Sequence, residues 1–392
     1  MKRFAQLTAV AVVVVCMLLV AREPQFWKRY AWSLAQGPDL PLSFYEPREL
    51  VKGGNRPPAP RVAPSLEMLD AAALQAAADY ADKYRSRALI VTRHGHIVFE
   101  RYWQGTDFNT LVDSQSFMRT LNAVLVAIAI DQRKIGWPDE PIGYLIPEWS
   151  HDPRGAVTVR NLLQMSSGLA PGGSPAVPWG AGARELFAPD VAGEYLQRKL
   201  VGTPGAIWAD QPADAQLLSV AVERATKERY AEYLSEALWS RLGAADAWLW
   251  LDRTGGTAHA DCCLLARQGD WVRLGELLAS SGRFEGDEVI APKWLSQLLA
   301  PAKGNPTYGA ALKLKATNSS EAYAVPGVFE VEARGNRMWL VPSMELVILR
   351  TGERVGGGWD DSRIPNLIIR GARDYVPPQP RPGDLRSLVP NH

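Results

Sequence analysis

The chain has 392 residues, of which 47% are apolar, so it can form one large domain with an insertion or two domains with substantial cores. Its 43 basic and 42 acidic residues give a net charge of +1, which offers no support for nucleic acid or another polyanion as a partner. The three cysteines and five histidines show neither a disulfide framework nor metal-ligand spacing, so no metal ion or other cofactor is expected.

The first 24 residues predict a membrane anchor or a secretory signal. Lys2 and Arg3 precede an uncharged run at 7–21, which is short for a span of about 20 residues but fits either alternative. No small-x-small cleavage site follows, which favours an uncleaved anchor, whereas a cleaved signal would release a secreted domain. Either way the main domain is expected outside the cytoplasm, in the periplasm if the source is a Gram-negative bacterium. Aromatic and basic residues are mixed at 25–32, as is typical of a membrane interface.

Composition divides the remaining chain into three parts. Residues 25–64 contain a stretch rich in Pro and Gly, which predicts a linker or extended arm. Residues 65–376 carry the helices and strands of the main folded domain. Residues 377–392 form a Pro-rich tail. No internal repeat is visible, and the oligomeric state is not specified by any pattern.

The main domain begins with a predicted helix at 65–84 and a predicted hairpin of strands at 88–93 and 97–103. A helix at 115–131 is apolar nearly all round, which predicts a place in the interior. Later predicted elements are helices at 213–227 and 229–241, strands at 307–315, 337–342 and 345–350, and a helix at 363–375. We therefore expect an α/β (α+β) fold, in which an antiparallel sheet from both chain ends is flanked by helices and carries an inserted helical subdomain.

Five stretches together carry a resemblance to a known family. They are residues 91–101, 114–119, 157–169, 216–244 and 335–342. Their order and spacing resemble the serine β-lactamase and penicillin-binding-protein superfamily, above all its class C-like esterases and 6-aminohexanoate-dimer hydrolases. The resemblance covers most of the chain and implies a β-lactamase-like fold with acyl transfer through a serine.

The first motif of that superfamily is Ser-x-x-Lys at the start of a buried helix. Residues i and i+3 share a helix face, so the lysine reaches the serine hydroxyl and acts as base when desolvation lowers its pKa. Here the motif is Ser116-Phe117-Met118-Arg119. Arginine keeps its proton, so Arg119 cannot be the base. Ser116 is either the nucleophile or a hydroxyl that only caps the helix.

The second motif supplies a proton-shuttling tyrosine shortly before residue 216. Residues 208–215 contain no tyrosine, and Asp210 takes its position in an ungapped placement. If the fold is kept, Arg119 and Asp210 should lie within ion-pair distance. Either they form a structural pair in a cleft that has lost its activity, or Asp210 replaces the base. Pairing with arginine weakens a carboxylate as a base, which favours the structural interpretation.

The third motif, Lys-Thr-Gly or a variant, has no counterpart before Gly335. The segment 326–333 holds Glu330 and Glu332 instead, and these acids would oppose an anionic substrate. His259 is a further candidate base, although such a histidine is more often a polar loop residue. Cys262 and Cys263 are expected to be small strand residues, since neighbouring cysteines rarely bridge without strain.

Ser116 is thus retained while the activating lysine and tyrosine positions are replaced. This combination predicts a catalytically impaired relative or a noncatalytic binding module, a pseudoenzyme, with an acyl, amide or peptidoglycan-like ligand. The intact serine and helix keep an alternative open, an active amide or ester hydrolase working through acyl-Ser116 like a 6-aminohexanoate-dimer hydrolase or carboxylesterase. A third hypothesis is a membrane-anchored scaffold without a ligand. Fold resemblance cannot choose among them.

Overall fold

The computed structural model describes Met17, residues 20–36 and residues 40–377. Most of the apolar N-terminal run and almost all of the Pro-rich tail lie outside these residues. Among the helices that are described, none is both long and apolar enough to span a bilayer. The contacts divide the chain into unit 1, the residues up to 55 with 112–266, and unit 2, residues 56–111 with those from 267 onward. The folded region expected at 65–376 is therefore shared between two units.

The α-helices and the strands have the following bounds in the described part of the chain. The helices are α1 (Pro24–Gln36), α2 (Ala71–Lys83), α3 (Phe117–Asp131), α4 (Val159–Leu163), α5 (Ala181–Phe187), α6 (Val191–Leu196), α7 (Pro212–Thr226), α8 (Tyr230–Leu234), α9 (Trp271–Ala279), α10 (Pro292–Leu298) and α11 (Arg363–Arg370). The strands are β1 (Arg48–Val51), β2 (Ser86–Arg93), β3 (His96–Tyr102), β4 (Leu111–Asp113), β5 (Ala247–Trp250), β6 (Leu264–Arg267), β7 (Arg283–Phe284), β8 (Asp287–Glu288), β9 (Phe329–Ala333), β10 (Asn336–Val341) and β11 (Leu346–Gly352).

Unit 2 is built on a five-stranded antiparallel sheet in the order β3-β2-β11-β10-β9. Its strands come from both ends of the folded region, which confirms the predicted sheet and the β2–β3 hairpin. Alternate side chains such as Leu89, Trp339 and Ile348 point to one face and share a buried cluster with residues of α2 and α11.

Helix α9 packs against the strands of the same sheet at Gly275. A Cβ added to Gly275 would lie 2.5 Å from Cγ1 of Val347 and 3.0 Å from Sδ of Met338. The absence of a side chain therefore lets this helix approach the strands closely. Both layers of unit 2 follow from apolar residues that alternate along the strands and recur at helical spacing.

Two helix boundaries and two strands in unit 2 differ from the sequence predictions. Helix α2 begins at Ala71, because Asp70 accepts a hydrogen bond from the Ala72 N–H at 3.2 Å and caps the helix there. The last helix ends at Arg370. The strand predicted at 307–315 is wrong: these residues form only isolated bridges, and the backbone turns at Ala311 with φ of 59°. The strand β9, which was not predicted, forms the sheet edge instead.

Helix α3 is the buried helix of unit 1, as its apolar sequence predicts. Asn122, its internal amide, is fully buried. The Asn122 side chain donates to the Ala215 carbonyl in α7 at 2.6 Å and accepts from the Tyr230 hydroxyl at 3.3 Å. The polar group is thus satisfied, so it can lie in the interior. A four-stranded sheet, β1-β5-β6-β4, belongs to the same unit.

The expectation of a linker at 25–64 is wrong for residues 25–36 and 48–51, which form a helix and a strand. Helix α1 and strand β1 belong to unit 1, and β1 pairs with β5. Phe26 lies in a buried aromatic cluster, and Arg29 is 4% exposed and donates to three backbone carbonyls at 2.7–3.1 Å. The aromatic residues expected at a membrane interface therefore help to form the core of unit 1, because large rings gain most from burial.

Candidate active site

Ser116 lies at the start of α3, directly after a strained residue. Strand β4 leads to Ser114, whose N–H and Oγ both hydrogen-bond to Leu264 at 2.9 Å. Gln115 follows with φ of 47°, in the left-handed region that non-glycine residues avoid. Ser116 is half-buried, and its hydroxyl does not cap the helix. In the described chain no partner hydrogen-bonds to this hydroxyl, so the capping interpretation of Ser116 is wrong.

Arg119 lies one helical turn after Ser116 and pairs with Asp210. Its Nη1 donates to Oδ1 of Asp210, which is the contact expected from the two substitutions. The two partners differ in exposure: the Arg119 side chain is 12% exposed and that of Asp210 63%. The Arg119 Nε–H is buried and has no partner among the described residues. Asp210 therefore neutralises the charge of the Arg119 guanidinium, while its Nε–H remains free to donate a hydrogen bond.

The segment that carries Asp210 is held by the turn at 165–169. The Ala209 N–H donates to the Met165 carbonyl at 2.9 Å, and Nε2 of Gln211 donates to the Leu169 carbonyl at 3.0 Å. Pro212 then begins α7. This turn thus positions the residue at the expected tyrosine site.

Two buried carboxyl groups near this ion pair were missed by the sequence analysis. Burial raises the pKa of Asp214 to about 7, against the hydrogen bonds from Ser167 and the charge of Arg119. The Ser167 hydroxyl donates to Asp214 Oδ1 at 2.6 Å. Burial also raises the pKa of Asp261 to about 6, again opposed by Arg119. Their positions on α7 and in a loop had no motif to mark them, and only the fold places both in the field of Arg119.

His259 is fully buried, so its interpretation as a polar loop residue is wrong. Its ring stacks on Trp250 with 3.9 Å between the centroids. Burial, with a smaller contribution from Arg29, lowers its pKa to about 3, so the ring is neutral at ordinary pH. Neither ring nitrogen has a partner in residues 20–36 and 40–377. The structure therefore gives His259 no hydrogen bond to Ser116.

The loop after β5 contains a disulfide that the sequence analysis did not expect. Cys262 and Cys263 are joined through their sulfur atoms. Single ligand atoms of His259, Asp261 and Cys262 all lie within 4.8 Å of one another. No metal-ligand spacing marks these three residues in the sequence, and it is the loop conformation that brings their ligand atoms together.

The two acids at the expected third motif lie in β9 of unit 2 and are neutralised there. Glu330 is fully buried, 3.1 Å from the Arg337 guanidinium, and accepts from the Tyr323 hydroxyl at 2.9 Å. Glu332 lies 2.8 Å from the same guanidinium and also pairs with Lys313. The expected opposition to an anionic substrate is correspondingly weakened, because each acid has a cation beside it.

Comparisons with known proteins agree on one family. A sequence model described as Beta-lactamase matches residues 72–304. The 6-aminohexanoate-dimer hydrolase of Paenarthrobacter ureafaciens is 27% identical over 225 residues, 54% of this chain and 57% of that protein. The match therefore spans little more than half of that relative's length.

Solved structures show the same fold at low sequence identity. One is a Bacillus anthracis protein named as a 6-aminohexanoate-dimer hydrolase, with a TM-score of 0.67, 16% identity, and coverage of 88% of this chain and 92% of that one. Another is a penicillin-binding-protein homologue from Caulobacter crescentus, with a TM-score of 0.59, 17% identity, and coverage of 76% and 96%. At this identity the likeness extends to the fold alone.

Proposed function

Because this chain belongs to the beta-lactamase family, we propose that it is a serine-hydrolase relative that binds an acyl, amide or peptidoglycan-like ligand with little or no turnover. In this proposal Ser116 is retained without an activating base. The ligand class comes from the family resemblance, and the loss of turnover from the groups beside the serine.

The observation that carries the proposal is the Arg119–Asp210 ion pair at the start of α3. A serine nucleophile must lose its proton to a neighbouring base. Arg119 stands where the family has lysine, and its guanidinium stays protonated at any ordinary pH. Asp210 stands where the family has tyrosine, and it is engaged by Arg119. Both positions that would activate Ser116 are thus used to neutralise each other.

Unpaired polar atoms in unit 1 support binding as the retained function. The Ser116 hydroxyl and the buried Arg119 Nε–H both lack partners among the described residues. Buried donors without partners are costly, and a ligand that accepts hydrogen bonds would satisfy them. A carbonyl or carboxylate oxygen fits these donors, which agrees with an acyl or amide ligand.

The second candidate function is hydrolysis of an amide or ester through acyl-Ser116. It is favoured by the uncapped hydroxyl of Ser116 and by the left-handed Gln115, since strained backbone often occurs at functional sites. The name of the Paenarthrobacter relative points to an amide of 6-aminohexanoate as substrate type. Asp214 has a pKa of about 7, which suits a general base at neutral pH. Its carboxylate, however, already accepts a hydrogen bond from the Ser167 hydroxyl.

Location outside the cytoplasm, with attachment through the N-terminal apolar run, remains part of the proposal. The uncharged residues 7–21 after Lys2 and Arg3 support it. Cell fractionation of the full chain and of a chain starting at residue 22 tests it. Equal amounts of both forms in the soluble fraction would contradict the anchor.

Labelling with a fluorophosphonate and with a fluorescent penicillin separates the two functions. We expect the wild-type chain to show no labelling that Ser116→Ala removes. The double variant Arg119→Lys with Asp210→Tyr should gain labelling that depends on Ser116. The matched control is Arg160→Lys with Asp139→Tyr, which alters an exposed ion pair of the same unit and should stay unlabelled.

Two results would overturn the proposal. Strong wild-type labelling that disappears in Ser116→Ala would establish an active nucleophile and the second candidate function. A folded double variant that stays unlabelled would show that the two substitutions do not account for the loss of activity.

A further inference from the structure

We propose that His259, Asp261 and Cys262 form a binding site for one zinc-class divalent cation, and that the Cys262–Cys263 disulfide prevents the ion from binding. The three ligand atoms lie within 4.8 Å of one another. In tetrahedral zinc sites, bonds of about 2.0–2.3 Å place ligand atoms roughly 3.3–3.8 Å apart. Side-chain adjustments on the order of 1 Å are therefore enough to bring all three ligand atoms onto one ion.

The unpaired atoms of these residues point to a missing partner. Both ring nitrogens of His259 are buried without a hydrogen bond in the described chain, and so is Oδ1 of Asp261. His259 is fully buried, where an imidazole normally donates from one nitrogen and accepts at the other. One metal ion would satisfy a nitrogen of His259 and the free oxygen of Asp261 together.

The loop that carries the ligands is held rigidly by α7. The buried side chain of Gln216 accepts from the N–H of Ala260 at 2.8 Å and of Asp261 at 3.3 Å. Its Nε2 donates to the Ala258 carbonyl at 2.9 Å. These bonds fix the backbone on both sides of His259. A rigid loop holds ligands in place before the ion arrives, which favours binding.

Contacts around the side chains orient them further. The His259 N–H donates to the Trp250 carbonyl at 2.9 Å, and the ring stacks on the indole of the same residue. The Tyr195 hydroxyl lies 3.5 Å from Oδ2 of Asp261, which leaves Oδ1 as the ligand atom. Outer contacts of this kind orient metal ligands in known sites.

Charge and ligand type favour a zinc-class ion over calcium or magnesium. One carboxylate and one thiolate balance a divalent cation, so the loaded site would be neutral and suited to a protein interior. Nitrogen and sulfur ligands suit zinc, whereas calcium and magnesium prefer oxygen alone. Three protein ligands leave one position of a tetrahedral ion for water or another small donor.

The disulfide acts as the gate, because a sulfur in a disulfide is no thiolate ligand. A dithiol reductant breaks the S–S bond by exchange, becomes a disulfide itself, and leaves thiols at Cys262 and Cys263. The Cys262 thiol then loses its proton to solvent as it binds the metal. Of the two cysteines only Cys262 belongs to the ligand group, so the two should behave differently when replaced.

The test compares Cys263→Ser with Cys262→Ser in the full chain. Zn²⁺ binding is measured by calorimetry, and Co²⁺ binding by the thiolate charge-transfer absorption. We expect Cys263→Ser, which frees the Cys262 thiol, to bind one equivalent without reductant. Cys262→Ser should bind more weakly than that by more than the roughly 10–100-fold effect of losing an outer contact. Oxidised wild type should bind none.

Wild type reduced with a phosphine, followed by removal of the phosphine, provides a second measurement without any substitution. The phosphine takes oxygen from water and becomes its oxide as the disulfide is reduced. We expect one equivalent of Zn²⁺ per folded reduced chain. Folded reduced wild type that takes up no zinc would overturn the site. Equal affinity of the two serine variants would overturn the role of Cys262, and zinc binding by oxidised wild type would overturn the gate.

Discussion

Two of the arginine–carboxylate pairs in unit 1 differ sharply in how completely they are buried. In the Arg198–Glu185 pair the side chains are 5% and 6% exposed, and Arg198 also donates to the Ala170 carbonyl. In the Arg119–Asp210 pair the acid is 63% exposed, and one buried donor of the arginine is unpaired. Both side chains of the first pair are buried and hydrogen-bonded, as expected of an ion pair that stabilises the fold. Most of the second pair's carboxylate is in water, so we expect this pair to stabilise the fold less than the first.

Breaking the buried Arg198–Glu185 pair is expected to lower the free energy of unfolding the most. Glu185→Ala leaves the Arg198 charge buried without its partner, so we expect a loss of about 3–5 kcal/mol in the free energy of unfolding. Urea denaturation followed by circular dichroism measures it. A loss below about 1 kcal/mol would mean that water or another group reaches Arg198. The Arg198–Glu185 pair would then contribute no more to stability than the exposed Arg119–Asp210 pair.

A buried arginine without a close carboxylate partner sharpens the contrast further. Burial lowers the pKa of Arg29 to about 10, against the charge of Asp252, and its donors hold three backbone carbonyls. Arg29→Met keeps most of the volume but leaves these carbonyls unpaired, so we expect a loss of about 2–4 kcal/mol. The exposed neighbour Lys28→Met is the control in the same denaturation experiment. Equal midpoints for both variants would show that α1 is not tied to unit 1 by this side chain.

The pH dependence of stability tests the buried acid in the field of Arg119. The pKa of Asp214 is about 7 in the folded chain and near 3.8 when unfolded. Between about pH 4 and pH 7 the folded state therefore holds a proton that the unfolded state has lost, and stability falls as pH rises. Each pKa unit is about 1.4 kcal/mol, so the effect is a few kcal/mol at most.

Asp214→Asn should remove this part of the pH dependence in thermal unfolding measured from pH 4 to pH 8. The control is Asp139→Asn, because the Arg160 hydrogen bond lowers the pKa of Asp139 and gives the opposite sign. The Asp139 contribution is lost only as pH falls below about 4, so Asp139→Asn should follow the wild-type profile between pH 4 and pH 8. Identical pH profiles for Asp214→Asn and wild type would contradict the burial of a protonated carboxyl at this position.

Breaking the Arg119–Asp210 pair is expected to change the free energy of unfolding the least. Asp210→Ala should change the free energy of unfolding by about 1 kcal/mol or less, because most of the carboxylate is in water. The measurement is the same urea titration as for Glu185→Ala. A loss comparable to that variant would show that the Arg119–Asp210 pair is a structural element after all.

Local pattern was enough for most elements of the fold. The buried helix α3, the β2–β3 hairpin and the C-terminal strands follow from periodicity that tertiary contacts reinforce. The false strand at 307–315 and the missed β9 have the opposite cause. Short apolar segments fit a strand or an irregular loop equally well, and the pairing partner decides between them. The linker prediction for 25–64 was wrong at α1 and β1 for a similar reason, because burial of α1 and pairing of β1 with β5 override the Pro-rich composition of this stretch.

The candidate site divides in the same way. Ser116, Arg119 and Asp210 were found because a motif marks their spacing, and the ion pair follows from sharing one site. Asp214, Asp261 and the neighbours of His259 had no such signal, since they come from separate segments. Loop conformation also joined Cys262 to Cys263 and brought His259 close to Asp261, and no spacing rule covers that arrangement.

The amino-acid sequence by itself determined the family, the layered α/β architecture and the substitution of arginine for the activating lysine, because these depend on residue identity and on short-range periodicity. Only the tertiary structure decided which charges are buried, which donors remain unpaired and which distant side chains meet. Those properties depend on the distance from each atom to water and to its neighbours, and that distance exists only once the chain is folded.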